Sequence, residues 1–346
     1  MAANKIINFI KDLVLNPYRG LSWVGTKLAY KMRWKKVPFL PIGIDIEPNN
    51  TCNFKCSHCQ VTYWDKKPAY FDREIFSKLL AQIPSLMRVK LQGMGEPLLN
   101  KELIPMLQAG EARGLRMYFN TNGSINDPAT SQQLAQLQRT HINYSLDGAT
   151  AETFTQMRQG SRFDRIINNI RMLVGERNLG SKLAISAWTV VTQKNIHELS
   201  EIVRLAKQLG LDYITIQPHL SNWGKAEMLP RTDGIQVTNE PDIFATELAT
   251  AKLVATEVGI ELAINESNRF CRDKPCPWVW KSAYITATGD VVPCNVIADA
   301  DIVKMGNVFE RDFKDIWNDR AYQELRGRIA SHDLPDHCKH CYVDPD

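Results

Sequence analysis

Several things are scarce in this sequence. No apolar run approaches the roughly 18 residues needed to cross a bilayer, so a membrane-spanning chain is excluded. Cysteine is rare as well. Eight in 346 residues are too few to staple a disulfide scaffold of this size. The stretch Lys5-Ile-Ile-Asn-Phe-Ile-Lys11 breaks its apolar run with charge before a leader-peptide core forms, so a secreted precursor is not expected. Internal repeats, low-complexity tracts and flexible linkers are also missing. What remains is 44% hydrophobic and 23% charged, a globular composition with length for one large domain and a smaller one.

Acidic residues are nearly absent from the first 36 positions. Lys5, Lys11, Arg19, Lys27, Lys31, Arg33, Lys35 and Lys36 face one acid, Asp12. That segment carries +7 of a total of +4, so the rest of the chain is mildly acidic at −3. A basic arm on an acidic body argues against nucleic acid as a partner. Within the arm, Ile6, Phe9, Ile10 and Leu13 recur at helical spacing, as do Leu21, Val24, Leu28 and Met32. Trp23, Tyr30 and Trp34 add amphipathic rings. The pattern predicts a helical collar packed on the body with a solvated basic face. Peripheral contact of residues 1–36 with lipid or an acidic partner is the alternative.

From Pro41 onward, short β-like runs alternate with amphipathic stretches. The runs are Ile42–Ile46, Arg88–Gln92, Arg116–Asn120, Ile142–Leu146, Leu183–Val191 and Tyr213–Gln217. Helices are expected over Asp72–Gln82, Lys101–Ala112, Pro128–Leu137, Phe163–Val174 and Ile196–Leu209. Gly114, Gly180 and Gly210 each precede a strand, where helices prefer to end. Six strand–helix units predict an α/β fold with a parallel sheet, a partial barrel open on one side. Chemistry then belongs at the carboxyl ends of the strands. After Glu266 the rhythm breaks, giving three expected units: arm 1–40, barrel 41–265, and a cysteine-rich domain 266–346 with a hairpin and one helix near Asp312–Arg328.

Directly after the first strand stands Cys52-Asn-Phe-Lys-Cys56-Ser-His-Cys59. Three close thiolates with no fourth nearby suit a four-iron cluster that keeps one iron open, whereas zinc prefers four protein ligands. Later strand ends read Gln92-Gly-Met-Gly-Glu96-Pro97, Asn120-Thr-Asn122-Gly123 and Ser145-Leu-Asp147-Gly148. Taken in order, these motifs resemble the radical S-adenosylmethionine (SAM) superfamily over residues 41–265. The resemblance implies a TIM-like partial (β/α)6 barrel in which Cys52, Cys56 and Cys59 hold a [4Fe–4S] cluster whose open iron binds SAM. Reductive cleavage then yields a 5′-deoxyadenosyl radical that takes a hydrogen atom from substrate. It also implies that Gly93, Gly95 and Glu96 receive the methionine end and that Ser145 touches the ribose. Arg158 would face the SAM carboxylate and His58 the adenine, with Asn120, Asp147 and Gln217 as further cofactor contacts. For Arg158 a surface ion pair is the competing reading.

The remaining cysteines are Cys271, Cys276, Cys294, Cys338 and Cys341. Tyr284–Cys294 reads as a hairpin with a Gly289-Asp290 turn, which swings Cys294 back toward Cys276. The spacing C-x12-G-x4-C followed by C-x2-C resembles the SPASM extension and its short form, twitch. Since five residues follow Cys341, the expectation is one auxiliary [4Fe–4S] cluster held by Cys276, Cys294, Cys338 and Cys341. Zinc on the same four thiolates is the alternative. Cys271 is left over, as a fifth ligand, a hydrogen-atom donor to a substrate radical, or inert packing.

The resemblance implies an oxidoreductase or epimerase acting on a hydroxylated or amino small molecule, with an electron donor such as flavodoxin or ferredoxin. Modification of a peptide, and a non-catalytic zinc or iron–sulfur scaffold, are the alternatives. Asn295 stands where sulfatase-maturing relatives place a basic Asp. The loop Pro218–Lys225 is positioned to line a substrate pocket. Oxygen-sensitive clusters and free thiolates predict a reducing cytoplasm, with a membrane-peripheral position as the alternative.

Overall fold

Ile44 and Ile46 are fully buried in β1 (Gly43–Ile46), whose residues are buried on both faces and whose two edges pair with parallel neighbours. The computed structural model describes residues 16–178, 180–265 and 270–342. From β1 the sheet runs in chain order through β2 (Arg88–Leu91), β3 (Arg116–Thr121), β4 (Thr140–Ser145), β5 (Ala184–Val190), β6 (Tyr213–Gln217) and β7 (Glu261–Ile264), every pair parallel. The expected crossover helices form over Arg73–Gln82, Leu103–Ala112, Pro128–Ala135, Phe163–Glu176 and Leu199–Gln208. Asp72 and Asp127 cap two of them by accepting backbone N–H bonds of the first turn.

The parallel sheet is larger than its six recognisable units. An eighteen-residue helix, Pro241–Val258, leads to β7. It buries only Ala251, Val254 and Ala255, so its apolar stripe is too narrow to announce itself. On the other side of β1 lies β8 (Ser282–Ile285), also parallel, followed by antiparallel β9 (Asp290–Val292) and β10 (Gly306–Asn307). The hairpin expected in the C-terminal domain therefore continues the barrel sheet, whose order is β10-β9-β8-β1-β2-β3-β4-β5-β6-β7. Its turn needs Gly289 twice over. The φ there is +81°, and a Cβ would lie 2.6 Å from the Phe309 ring.

One helix was expected near Asp312–Arg328, but two form, Phe313–Trp317 and Arg320–Ser331. The break at Asn318 has a tertiary cause. Its side chain accepts from Val37 N (2.9 Å) and donates to Val37 O (2.7 Å), pinning the arm. Trp280 Nε1 binds Trp34 O (2.8 Å) and Trp317 Nε1 binds Phe39 O (2.9 Å) in the same seam.

Arg326 closes that seam. It is fully buried and donates to Val279 O (2.8 Å), Trp317 O (2.8 Å), Lys35 O (3.1 Å) and Asn318 Oδ1 (3.2 Å). Its guanidinium also lies over Trp317, 4.5 Å from the ring centre. Burial pushes its pKa down to about 10, so it remains charged at neutral pH.

The arm departs from expectation in its orientation. Ile6, Phe9, Ile10 and Leu13 lie outside the described residues. A helix does form over Pro17–Lys31, but it meets the body through Ser22, Gly25, Thr26 and Ala29. The apolar set expected to face the body, Leu21, Val24, Leu28 and Met32, is exposed instead. Small residues win the inner face because the body approaches closely: a Cβ on Gly25 would lie 2.4 Å from the Phe39 ring.

Arg326→Met should remove the donor shared by four acceptors and cost about 3–5 kcal/mol, read as a lower midpoint in denaturant or heat. Arg326→Lys should lose most of the same stability, because a single ammonium cannot span the four acceptors. An unchanged midpoint in either variant would contradict this role.

Candidate active site

The loop after β1 is shaped by hydrogen bonds to two later loops. Asn122 Nδ2, at the end of β3, donates to Asn53 Oδ1 (3.0 Å), and Asn53 Nδ2 donates to Ser124 Oγ (2.8 Å). Lys55 N binds Gln159 O (2.9 Å), beyond the helix Ala151–Met157. Phe54 is buried beneath the loop. The result holds Cys52, Cys56 and Cys59 on one wall of a cavity of about 430 Å3. Burial raises all three thiols, Cys59 to about 12, and Arg158 is the cation that opposes this at each. Thiols buried so deeply ionise against a cationic partner such as iron.

The glycine-rich segment after β2 is needed for a reason other than room for a ligand. A Cβ on Gly93 would lie 2.2 Å from Glu47 Cγ, and one on Gly95 would lie 2.4 Å from Asn49 O. The missing side chains let this segment close on β1's own loop. Glu47 completes the contact, accepting from Met94 N (2.9 Å) with one oxygen and from Ala287 N (3.0 Å) with the other. Burial raises Glu47 to about 7. Glu96 is buried and accepts from Thr121 Oγ1 (2.7 Å), Leu98 N (3.1 Å) and Asn122 N (2.7 Å). Three of its roughly four acceptor positions are therefore used within the protein.

Arg158 is no surface ion pair. Its side chain is 12% exposed and meets the fully buried Asp147 at 2.6 Å, while Asp147 Oδ1 accepts from Val190 N (2.8 Å). Asp147 thus holds Arg158 toward the cysteines. Ser145 and Asn120 line the cavity, Asn120 accepting from Asn143 Nδ2 at 3.1 Å. Gln217 lines it too, but its oxygen accepts from Trp188 Nε1 (2.9 Å) and its nitrogen donates to His219 O (2.9 Å), so it fixes the indole and the following loop. His58 is buried, its Nδ1 lacks a partner among the described residues, and burial pushes the imidazole down to about 4.

The structure adds lining residues that sequence patterns did not mark, Asp45, Lys90, Trp188, Asn265 and Tyr284, and places Asn295 among them. Asp45, Lys90 and Tyr284 are register partners across β8, β1 and β2, so strand alternation aims all three inward. Asp45 is 2% exposed. One oxygen accepts from Asn295 Nδ2 (3.2 Å), and the other has no hydrogen bond but lies 3.7 Å from Arg88 Nη1. Among the described residues Lys90 forms no ion pair and faces the Trp188 ring at 5.6 Å. Leu220, Ser221 and Trp223 of the loop after β6 close one side of the cavity. That loop is anchored by Lys225, 2.7 Å from buried Asp299, which also holds Lys66 of the loop after Cys59.

The second cysteine set is brought together beside this cavity. The Cys276 thiol is raised by burial and then by Cys294, Cys341 and Cys338. Cys338 and Cys341 are each pushed up to about 12. Cys294 adjoins Asn295 of the cavity wall, and its thiol feels the Asp45 charge. Cys271 stands near this set, in a turn closed by Cys271 N donating to Lys274 O (3.3 Å), and with Cys276 it faces the Tyr30 hydroxyl. It lines no part of the cavity. Among the described residues no three His, Cys, Asp or Glu side chains gather as ligands of a single ion. A four-iron cube places each thiolate on its own iron and so asks for a wider spacing. Both thiol sets, soft donors in buried surroundings, suit iron–sulfur clusters.

Known proteins are similar to this chain in sequence and in fold. The chain is 23% identical over 319 residues to the AdoMet-dependent heme synthase of Methanosarcina barkeri, covering 84% of this chain and 88% of that protein. It is 24% identical over 317 residues to the PqqA peptide cyclase of Xanthomonas campestris pv. campestris, covering 87% and 79%. In fold it is similar to Streptococcus suis SuiB bound to its precursor peptide SuiA, with a TM-score of 0.69, 18% identity, and coverage of 88% and 70%. The family model for the iron–sulfur cluster-binding SPASM domain matches residues 276–342, and that for the radical SAM superfamily matches residues 46–206. The chain thus belongs to the radical SAM superfamily and carries a C-terminal SPASM domain.

Proposed function

We propose that this radical SAM enzyme dehydrogenates a substrate carbon that bears a hydroxyl or amine, with an anionic group elsewhere on the same molecule. The observation that carries the reading is that a single cavity is lined both by Cys52, Cys56, Cys59 and Arg158 and by Asp45, Lys90 and Asn295, the last next to Cys294. The core binds SAM and a [4Fe–4S] cluster, and the SPASM domain binds auxiliary iron–sulfur. When bound, these groups supply a 5′-deoxyadenosyl radical and a sink for one electron. We assign the first cluster to Cys52, Cys56 and Cys59, and one auxiliary cluster to Cys276, Cys294, Cys338 and Cys341.

The chain's own residues do the rest. Asp147 keeps Arg158 directed at the SAM site, where its fork suits a carboxylate. Lys90 offers its ammonium to a substrate anion. Asp45, with one oxygen free of hydrogen bonds, takes the proton that a two-electron oxidation releases from the hydroxyl or amine. Trp188, Leu220 and Trp223 exclude water around it. Epimerisation would need a hydrogen-atom donor at the substrate, and Cys271 lies away from the cavity, so dehydrogenation is the preferred outcome.

A peptide is the second reading, favoured by the likeness to a peptide cyclase and to a structure holding a precursor peptide. A single side chain entering the same cavity would meet the same Asp45 and Lys90.

Anaerobically reconstituted protein should hold about eight irons and release 5′-deoxyadenosine with dithionite and SAM. Cys52→Ala, Cys56→Ala or Cys59→Ala should each remove about half the iron and all 5′-deoxyadenosine. Cys294→Ala should remove the other half while SAM cleavage persists. A protein that binds only zinc, or cleaves SAM without the first three cysteines, contradicts the assignment. Asp45→Asn should leave iron and SAM cleavage intact, and once a substrate is in hand should slow its oxidation by about 100-fold or more. A wild-type rate in that variant removes Asp45 from the reaction.

A further inference from the structure

The helix Pro17–Lys31 is turned inside out for a helix on a protein surface. Tyr18 (66% exposed), Leu21 (64%), Val24 (58%), Leu28 (45%) and Met32 (58%) all point outward. These are five of the eleven large apolar side chains exposed among the described residues, and they lie within fifteen positions. Such a concentration marks a surface that something else covers. The spacing of three and four residues keeps them on one side of the helix, which contains no acid. Exposed Lys27 and Lys31 run along the same outer side, and exposed Lys35 and Lys36 follow its end. Lys27 Nζ lies 3.3 Å above the Trp23 ring, so its ammonium rests on the indole as a cation–π contact at this face.

We propose that this face docks the enzyme on an anionic lipid surface. The five apolar side chains enter the boundary between headgroups and acyl chains, and the lysines meet lipid phosphates. Charge complementarity selects this occupant. Residues 1–36 hold +7 while the rest of the chain holds −3, so an anionic plane attracts this end and repels the other. The sequence before the helix continues the same mixture, with Lys5 and Lys11 among Ile6, Phe9, Ile10 and Leu13. A bilayer accommodates both apolar area and spread positive charge without a matching groove.

Docking at this face leaves the active site free. Arg19 and Trp23 of the helix share a small pocket with Ile42, Met87, Arg88 and Arg116, which all stand at the amino-terminal ends of β1, β2 and β3. The cysteine loop, the glycine segment and Ser145 stand at the opposite, carboxyl-terminal ends. The inference is independent of the reaction proposed above, because it concerns the other end of the barrel.

The test is co-sedimentation of the full chain with vesicles of phosphatidylcholine mixed with phosphatidylglycerol, and with vesicles of phosphatidylcholine alone. The protein should sediment with the mixed vesicles, much less with the neutral ones, and less again in high salt. The triple variant Leu21→Ser, Val24→Ser, Leu28→Ser should weaken partitioning by more than about tenfold. Lys27→Gln with Lys31→Gln should weaken it roughly twentyfold. Because these side chains are exposed, iron content and melting temperature should match the parent in both variants. Failure of the parent to bind mixed vesicles overturns the proposal, as does a triple variant that binds like the parent. A parent dimer that the triple variant makes monomeric overturns it in favour of a second copy. Binding to polyglutamate without binding to vesicles overturns it in favour of an acidic polypeptide.

Discussion

One strand, β1, is the constraint on which the site depends. Its register with β2 and β8 sets Asp45 opposite Lys90 on one side and Tyr284 on the other. Its carboxyl end launches the loop with Cys52, Cys56 and Cys59. Glu47, just past its last residue, ties the glycine segment and the hairpin to that end through Met94 N and Ala287 N. A buried carboxylate bridging two backbone amides is costly to misplace, since either unpaired amide would lose its bond in a water-poor setting. The SAM-binding half and the auxiliary-cluster half of the enzyme are thus continuous through a single sheet.

Electrostatics follow from this geometry. The cavity is rich in buried, ionisable groups, yet its only tight ion pair among the described lining residues is Arg158 with Asp147, which itself stands behind the wall. Asp45 meets a cation only at 3.7 Å, from Arg88 Nη1, and Lys90 forms no ion pair among the described residues; burial shifts each toward its neutral form. An enclosed pair held apart in this way suits a ligand that brings both a donor and an anion. It is a poor arrangement for stability alone.

Much of this was legible in the residues. The C-x3-C-x2-C run, the strand-end glycines and the C-terminal cysteines occur in a fixed order, and six strands carried enough β-branched and aliphatic residues to be recognised. The rest depended on what lies far away in sequence. Helix Pro241–Val258 and β7 bury too little for periodicity to reveal them. Asp45 and Lys90 read as ordinary charged residues within apolar runs, and only their register with β8 and one another shows that they face inward. Gly93 and Gly95 were read as receiving the methionine end of SAM, and packing adds a requirement that only the folded chain reveals, because a Cβ at either would strike Glu47 or Asn49. In the arm, helical spacing located the apolar stripe but not its direction, because the close approach of Phe39 to Gly25 decides which face turns inward.

The most direct test is the electron paramagnetic resonance of the dithionite-reduced Cys294→Ala protein, which isolates the first cluster. Adding SAM should change that cluster's g values, as expected when SAM's amino and carboxylate groups bind the one iron without a protein thiolate. A spectrum indifferent to SAM would mean that the fourth corner is closed, and the cysteine loop at the end of β1 would then have a structural or electron-carrying role instead.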